Sequence, residues 1–429
     1  MADMHELLRL LGELDDQLVS CMRCGMCQAV CPIYGQSGRE GDVARGKIAL
    51  LEGLAHELVK DPQGVQDKVT RCLLCGSCAA NCPSGVKALD IFLKARVILT
   101  GYLGLSKVKQ LIFRGMLTKP GLFNALLSVA SKFQGLVTSP VNDIIGSSCS
   151  RWLEPVLGER HLMLLDKRPL HKDVPSLNTP AGKSGLKVAF FPGCLADKIF
   201  PRVGHAVLKV LQHHGVGVYL PTGQACCGIP ALSAGDKQSF EKLVRANLDV
   251  FSGHDFDALV TPCATCTSTM KKIWPTMAAG MSAKDQQRIS ELSAKVMDVN
   301  AFVVDHLSLT PPEPKAGAMS VTVHDPCHLK KSLGVSVQPR TVLRMNPAYK
   351  VVEMDASDAC CGCGGSFTLQ HAEISAKIGM QKRDNIVGSH AQVVATGCPA
   401  CMLQISDMLS RSGDQIAVRH PMEIYAESL

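Results

Sequence analysis

Apolar residues recur along this chain in two different rhythms. In VARGKIALLEGLAHELV, residues 43–59, Ile48, Leu51, Leu54, Leu58 and Val59 fall at helical spacing, and the pattern predicts one helix. The opening segment, MADMHELLRLLGELDDQLVS, reads as a short acidic amphipathic helix; it lacks the basic head and apolar centre of an export signal. From about residue 186 the rhythm changes. Short apolar, β-branched runs (KVAFF at 187–191, VGVYL at 216–220, ALV at 258–260) alternate with longer helical patterns, and comparable runs return at 321–323, 349–352 and 392–395. Strand–helix alternation of this kind predicts a parallel sheet in each half. Two polar stretches rich in turn formers, DKRPLHKDVPSLNTPAGKSG (166–185) and TPPEPKAG (310–317), read as linkers. No run of 18 apolar residues occurs, so no transmembrane helix is expected.

Twenty cysteines give these elements a chemistry. Without an export signal the chain is expected in the cytoplasm, where thiols stay reduced and serve as ligands more readily than as disulfides. Residues 21–32, CMRCGMCQAVCP, and 72–83, CLLCGSCAANCP, both follow C-x2-C-x2-C-x3-C-P. In this run three cysteines bind one [4Fe–4S] cluster and the fourth serves the other. One cluster is therefore assigned Cys21, Cys24, Cys27 and Cys82, and the other Cys72, Cys75, Cys78 and Cys31. Zinc sites favour C-x2-C pairs or admit histidine, so eight cysteines in this arrangement speak against zinc and disulfides alike. Arg23, Arg71 and Lys87 flank the runs and are candidates to offset cluster charge.

Ten later cysteines fall into two sets of five: Cys194, Cys226, Cys227, Cys263 and Cys266, then Cys327, Cys360, Cys361, Cys398 and Cys401. Corresponding members are offset by 133, 134, 134, 135 and 135 residues, which marks an internal repeat. Each group is expected just past the C-terminal end of a strand, the edge at which open α/β sheets bind ligands. Adjacent Cα atoms are too close for a relaxed disulfide, so the paired cysteines of ACCG read as two donors to one site. Five thiols exceed what a cube needs. Either a larger, more open iron–sulfur centre or a cube with one free redox-active cysteine satisfies the count. Cys149 and Cys363 stand outside these sets and read as unligated. His324 and His328 flank Cys327; each could donate to a cluster or supply a proton, and an ordinary local hydrogen bond is the simpler expectation.

The formal charge of +7 is concentrated. Residues 86–137 carry Lys87, Lys94, Arg96, Lys107, Lys109, Arg114, Lys119 and Lys132 against one acid, Asp90. This basic amphipathic stretch suits a membrane surface or an acidic partner protein. No stacking-aromatic pattern accompanies it, so nucleic acid is not expected as a partner.

Two ferredoxin runs followed by two C…CCG…CxxC units resemble a family of iron–sulfur subunits. It comprises that of glycolate oxidase, the catalytic subunit of heterodisulfide reductase, the anaerobic glycerol-3-phosphate dehydrogenase subunit and lactate-utilisation proteins. ARGKI (44–48), CLLCGSCAANCPSGV (72–86) and VRHPMEIYAESL (418–429) look closest to the glycolate oxidase branch, while the complete CxxC pairs are similar to heterodisulfide reductase. The resemblance implies an α + α/β architecture. An α-helical two-cluster ferredoxin-like domain (1–100) and a basic helical connector with its linker (101–185) precede two cysteine-rich domains with parallel sheets (186–308 and 318–429). It implies two [4Fe–4S] clusters and one or two further iron–sulfur centres. It implies an oxidoreductase subunit passing electrons from a partner's FAD, reduced by glycolate or lactate, to a quinone or other acceptor at the inner face of the cytoplasmic membrane. The alternative it implies is direct reduction of a disulfide at the cysteine-rich domains. No Gly-rich dinucleotide fingerprint follows a strand, so FAD is not expected on this chain.

Overall fold

The β-branched runs form two sheets in the computed structural model, which describes residues 4–150 and 159–429. In chain order the strands are β1 (Thr138–Asn142), β2 (Ser147–Ser150), β3 (His161–Met163), β4 (Leu177–Asn178), β5 (Lys187–Phe190), β6 (Gly217–Leu220), β7 (Ala258–Thr261) and β8 (Val296–Asp298). They continue with β9 (Met319–Val323), β10 (Tyr349–Val351), β11 (Val393–Ala395) and β12 (Ala417–Arg419). The first repeat orders its sheet β4-β6-β5-β7-β8 and the second β10-β9-β11-β12. All neighbours run parallel except the short edge strand β4, which is antiparallel to β6. Each repeat thus begins on a central strand, moves to one neighbour, then crosses to the other side. That reversal is the topological switch point at which such sheets bind ligands.

Where the sequence reads as a helical connector, β1, β2 and β3 add a small antiparallel sheet. Its first hairpin is set locally. Asn142 accepts the Gly146 amide through its backbone carbonyl at 2.8 Å and the Ile145 amide through its side chain at 3.1 Å, and Gly146 takes a φ of +74°. Residues 151–158 of the connector and residues 1–3 of the expected amino-terminal helix lie outside the described residues.

Two compact units result, and their boundaries follow neither linker. One contains the chain up to Lys119 together with Gly228–Val244 and Gly362–Ile378; the other contains Pro120–Cys227, Arg245–Cys361 and Gly379–Leu429. Both excursions begin immediately after a cysteine pair. Within the first unit the helices Ala44–Ala55, Pro62–Thr70 and Ala88–Leu103 surround the two cysteine runs. The expected helix over 43–59 stops early. Glu57 adopts a left-handed φ of +59°, which cannot propagate a helix; Ile48, Leu51 and Leu54 are buried while Leu58 is 83% exposed. The excursion at 228–244 is seated by Gly235 (φ +85°), where a Cβ would fall 2.2 Å from Thr100 Oγ1 and 2.5 Å from the Arg96 carbonyl. No other residue type fits there.

In the second unit Val188, Phe190, Val218 and Val260 form the first core, which also takes Met422 and Tyr425 from the terminal helix Pro421–Ala426. Ile424 of the same helix joins Val321, Val323 and Val393 in the second core. One short helix therefore buries side chains in both repeats.

Candidate metal centres

In the first unit the two cysteine runs fold alike. The third and fifth residues of each are left-handed: Arg23 (φ +55°) and Gly25 (+87°), then Leu74 (+54°) and Gly76 (+76°). Left-handed backbone is strained for Arg and Leu, so the shape of the run outweighs local preference at both sites. The Leu74 amide points to Cys72 Sγ at 3.4 Å and the Val86 amide to Cys82 Sγ at 3.4 Å.

Two thiol-lined cradles result. Cys21, Cys24, Cys27 and Cys82 line one; Cys31, Cys72 and Cys75 line the other, and Cys78 reaches both. The fourth cysteine of each run thus stands with the first three of the other. Burial pushes the Cys31 thiol up to about 11 and raises Cys78 as well. These groups are stable as thiolates only against compensating positive charge, which a metal centre supplies. Sulfur donors in sets of four fit iron–sulfur clusters.

The cations that serve these cradles are not those flanking the cysteines in sequence. Arg23 pairs with Glu52 at 2.6 Å, Arg71 lies 3.8 Å from the buried Asp42, and Lys87 is exposed. Lys47 instead lines the second cradle, fully buried and donating to the Asp42 carbonyl. Burial lowers its basicity while Cys72 and Cys31 act to restore it. Arg96, counted above in the basic stretch, is 4% exposed. It donates to the carbonyls of Val69, Thr70, Cys72 and Ser233 at 2.7 to 3.3 Å, fixing the chain as it enters the second run. Neither role has a sequence signal beyond a charged residue on an apolar helical face.

In the second unit every cysteine group lies beyond a strand end, as expected. The two CxxC motifs also meet. Thiol contacts run from Cys227 to Cys266, Cys263, Cys398, Cys401 and Cys361 in turn, the last pair 3.4 Å apart. Cys194 contacts Cys226. Cys360 lies near Lys382 with Cys361, and Cys327 opens the helix Cys327–Leu333. Hydrogen bonds from Cys263 and Cys401 hold Cys398 well below the usual thiol range. Contacts with Cys226 and burial raise Cys194. Eight thiols in mutual contact again fit metal–sulfur chemistry.

The surroundings differ between the repeats. In the first, neutral groups hold the cysteine pair: Asn247 donates to the Cys226 carbonyl at 3.1 Å, and Trp274 Nε1 donates to that of Cys227 at 2.9 Å. In the second, Lys382 donates to the carbonyls of Ala356 and Ser357 at 2.7 and 3.2 Å, and burial pushes it down to about 8. His328 Nδ1 lies 3.2 Å from Thr265 Oγ1, an ordinary hydrogen bond but not a local one, since it joins the second repeat to the first. His324 is buried, and neither ring nitrogen makes a hydrogen bond of ordinary geometry, although the Ser357 carbonyl approaches the ring. Burial, reinforced by the charge of Lys382, pushes it down to about 3. Cys149 lies in β2, and Cys363 is buried within the first unit.

Comparison with known proteins agrees with this division. The "Cysteine-rich domain" family matches residues 188–271 and again 321–406, and the "4Fe-4S dicluster domain" family matches residues 17–86. A probable glycolate oxidase iron–sulfur subunit of Bacillus subtilis is 29% identical over 418 residues, 93% of this chain and 90% of that one. Lactate utilization protein A of Macrococcus caseolyticus is 32% identical over 239 residues, 56% of this chain and 96% of that one. One component of the fumarate reductase (CoM/CoB) of Methanothermobacter marburgensis is 36% identical over 229 residues, 53% of this chain and 43% of that one. With its dicluster ferredoxin module ahead of two cysteine-rich repeats, the chain belongs to the family of glycolate oxidase iron–sulfur subunits and lactate-utilisation proteins.

Proposed function

We propose that this chain is the electron-transferring subunit of a complex that oxidises a 2-hydroxy acid, glycolate or lactate. The partner subunit holds FAD and the substrate, and this chain delivers the electrons to a quinone or another acceptor. The observation that carries the reading is the pair of thiol-lined cradles in the first unit, each combining cysteines from both runs. In it Cys21, Cys24, Cys27 and Cys82 hold one [4Fe–4S] cluster and Cys31, Cys72, Cys75 and Cys78 the other. The two sets of five cysteines hold one or two further iron–sulfur centres. Such clusters supply one-electron redox chemistry when bound. The protein's own part is to place a buried cation, Lys47, beside one thiol set, to fix Cys72 through Arg96, and to keep water by burial from most second-unit thiols, Cys194, Cys327 and Cys360 being only partly covered. The relatives named for glycolate oxidase and lactate utilisation support the substrate class.

The test is anaerobic co-purification with a flavin-binding dehydrogenase, followed by addition of glycolate or lactate. Bleaching of this chain's visible absorbance supports the reading. An iron content near 16 per chain supports four filled sites; a complex that stays oxidised with both substrates defeats the assignment. A second reading is favoured by the thiol series linking the two repeats: the reduced chain cleaves a disulfide directly. Reduction of a heterodisulfide by the reduced chain alone distinguishes it.

We also place the complex in the cytoplasm against the inner face of the membrane. No helix among the described residues is long and apolar enough to cross one. The helix Pro120–Val137 exposes Leu122, Leu126, Val129, Phe133 and Leu136 on a single stripe, with Lys119 and Lys132 nearby in sequence. An exposed apolar face of this kind seats at a lipid interface. Salt-sensitive binding to anionic vesicles that Phe133→Glu weakens supports this placement, and no binding at low salt rejects it.

A further inference from the structure

Phe191 and His324 occupy matching positions, each three residues before the first cysteine of its set. The first is an apolar packing residue. Phe191 is fully buried, and a Cβ built on Gly193 would meet its ring at 3.7 Å and Cys266 Sγ at 3.2 Å. His324 takes the same place in the second repeat with a buried imidazole that the Ser357 carbonyl approaches without forming a hydrogen bond of ordinary geometry. It is 1% exposed. Its cationic neighbour is engaged elsewhere: Lys382 Nζ is directed at Met354 Sδ and at the carbonyls of Ala356 and Ser357. A buried polar group without a well-formed hydrogen bond is costly, so an imidazole kept here is poised for a partner from outside the polypeptide. A ring nitrogen of His324 and the sulfurs of Cys361 and Cys401 all lie within 4.8 Å of one another. Bonds of about 2.0–2.3 Å from nitrogen and sulfur to a common metal atom span up to about 4.3 Å, so a closure of a few tenths of an ångström at most brings all three donors to one metal.

We propose that His324 is a nitrogen ligand of the metal centre in the second repeat, bonded to the same metal atom as Cys361 and Cys401. The inference rests on the reading that the second cysteine set holds metal. The two repeats then differ in kind. The first offers sulfur donors beside an apolar Phe191; the second mixes sulfur with imidazole. Both repeats keep five cysteines, so a nitrogen ligand from His324 leaves one more thiol of the second set unbound; where histidine takes a thiolate's place in this way it raises the potential of an iron–sulfur centre, and the second repeat then carries the more oxidising of the pair.

The test uses the full chain, loaded anaerobically with iron and sulfide, with and without 15N-histidine. Pulsed EPR of oxidised and reduced samples is expected to show a nitrogen coupling that changes with the isotope. His324→Cys keeps the metal content, abolishes that coupling and lowers one midpoint potential; His328→Gln leaves the coupling in place. Isotope labelling of the unaltered chain needs no variant, so a misfolded variant does not block the test. Metal content clearly above the two ferredoxin clusters without an isotope-sensitive coupling overturns the assignment, as does a coupling that survives in His324→Cys. An iron content of only about eight overturns the underlying reading as well, and the metal count separates that failure from the first.

Discussion

The two cysteine-rich repeats share a strand order and five cysteine positions, yet they are finished differently. In the first repeat Asn247 and Trp274 hold the cysteine pair, and Phe191 and Leu248 are buried; at the positions matching these last two, the second repeat has His324 and Lys382. The fourth strand of each leads into a helix capped by the residue after it or at its end, Asp298 in one and His420 in the other. Duplication preserved the backbone that presents sulfur while the surrounding charge diverged. Ligand identity is set by strand topology, and the energetics of what is bound are set by a few buried side chains.

This contrast can be broken most severely at the sulfurs. Cys361→Ser is expected to remove the metal of the second repeat while leaving the ferredoxin clusters, and Cys227→Ser to do the converse for the first repeat. Iron and sulfide analysis beside EPR checks both; simultaneous loss of both centres from either variant would mean that the thiol series binds one shared unit.

Exchanging the buried polar residues comes next. Leu248 is fully buried, so Leu248→Lys buries an unpaired charge and is expected to cost about 3–5 kcal/mol. Urea denaturation of the metal-free protein measures this. The reciprocal Lys382→Leu removes donors from the Ala356 and Ser357 carbonyls, at about 1–3 kcal/mol. It is also expected to lower the midpoint potential of the second centre only, because a cation near Cys361 and Cys360 is lost. Equal costs for the two exchanges would contradict the difference argued here.

The smallest effect concerns acid. Burial pushes His420 down to about 4 from the ordinary 6.5. Its folded value lies below its unfolded value, so the stability it contributes above about pH 6.5 is lost as pH falls toward 4. Burial pushes Asp298 up to about 6 from 3.8. Its folded value lies above its unfolded value, so its contribution is present below pH 3.8 and is lost as pH rises through 6. The two oppose each other, each with a slope of at most about 1.4 kcal/mol per pH unit. His420→Gln is expected to gain relative stability on acidification, and Asp298→Asn to fall more steeply than the unaltered chain. Parallel pH profiles for the two variants would show that these caps do not titrate on unfolding.

Much of the site was legible in the chain itself. Spacing alone assigns the crossed cysteine sets, because thiolates two residues apart can reach one cluster and the fourth cannot. The constant offsets reveal the duplication, and apolar runs ending at cysteine place each ligand at a strand end. These are local constraints, carried by residues near one another in the chain. The amphipathic rhythm over 43–59 was less reliable at its end, where the left-handed Glu57 overrode periodicity.

What only the tertiary structure decided depends on distant segments meeting. Nothing in a linear pattern shows that Lys47 and Arg96 turn inward, or that the helices after each cysteine pair pack with the ferredoxin module. Nor does it show that Cys263 and Cys398, 135 residues apart, touch. The burial of His324 without a well-formed hydrogen bond belongs here as well. A residue's type and spacing state what it can bond to, but whether a bond is made depends on which other groups the fold brings to it, and that is a property of packing.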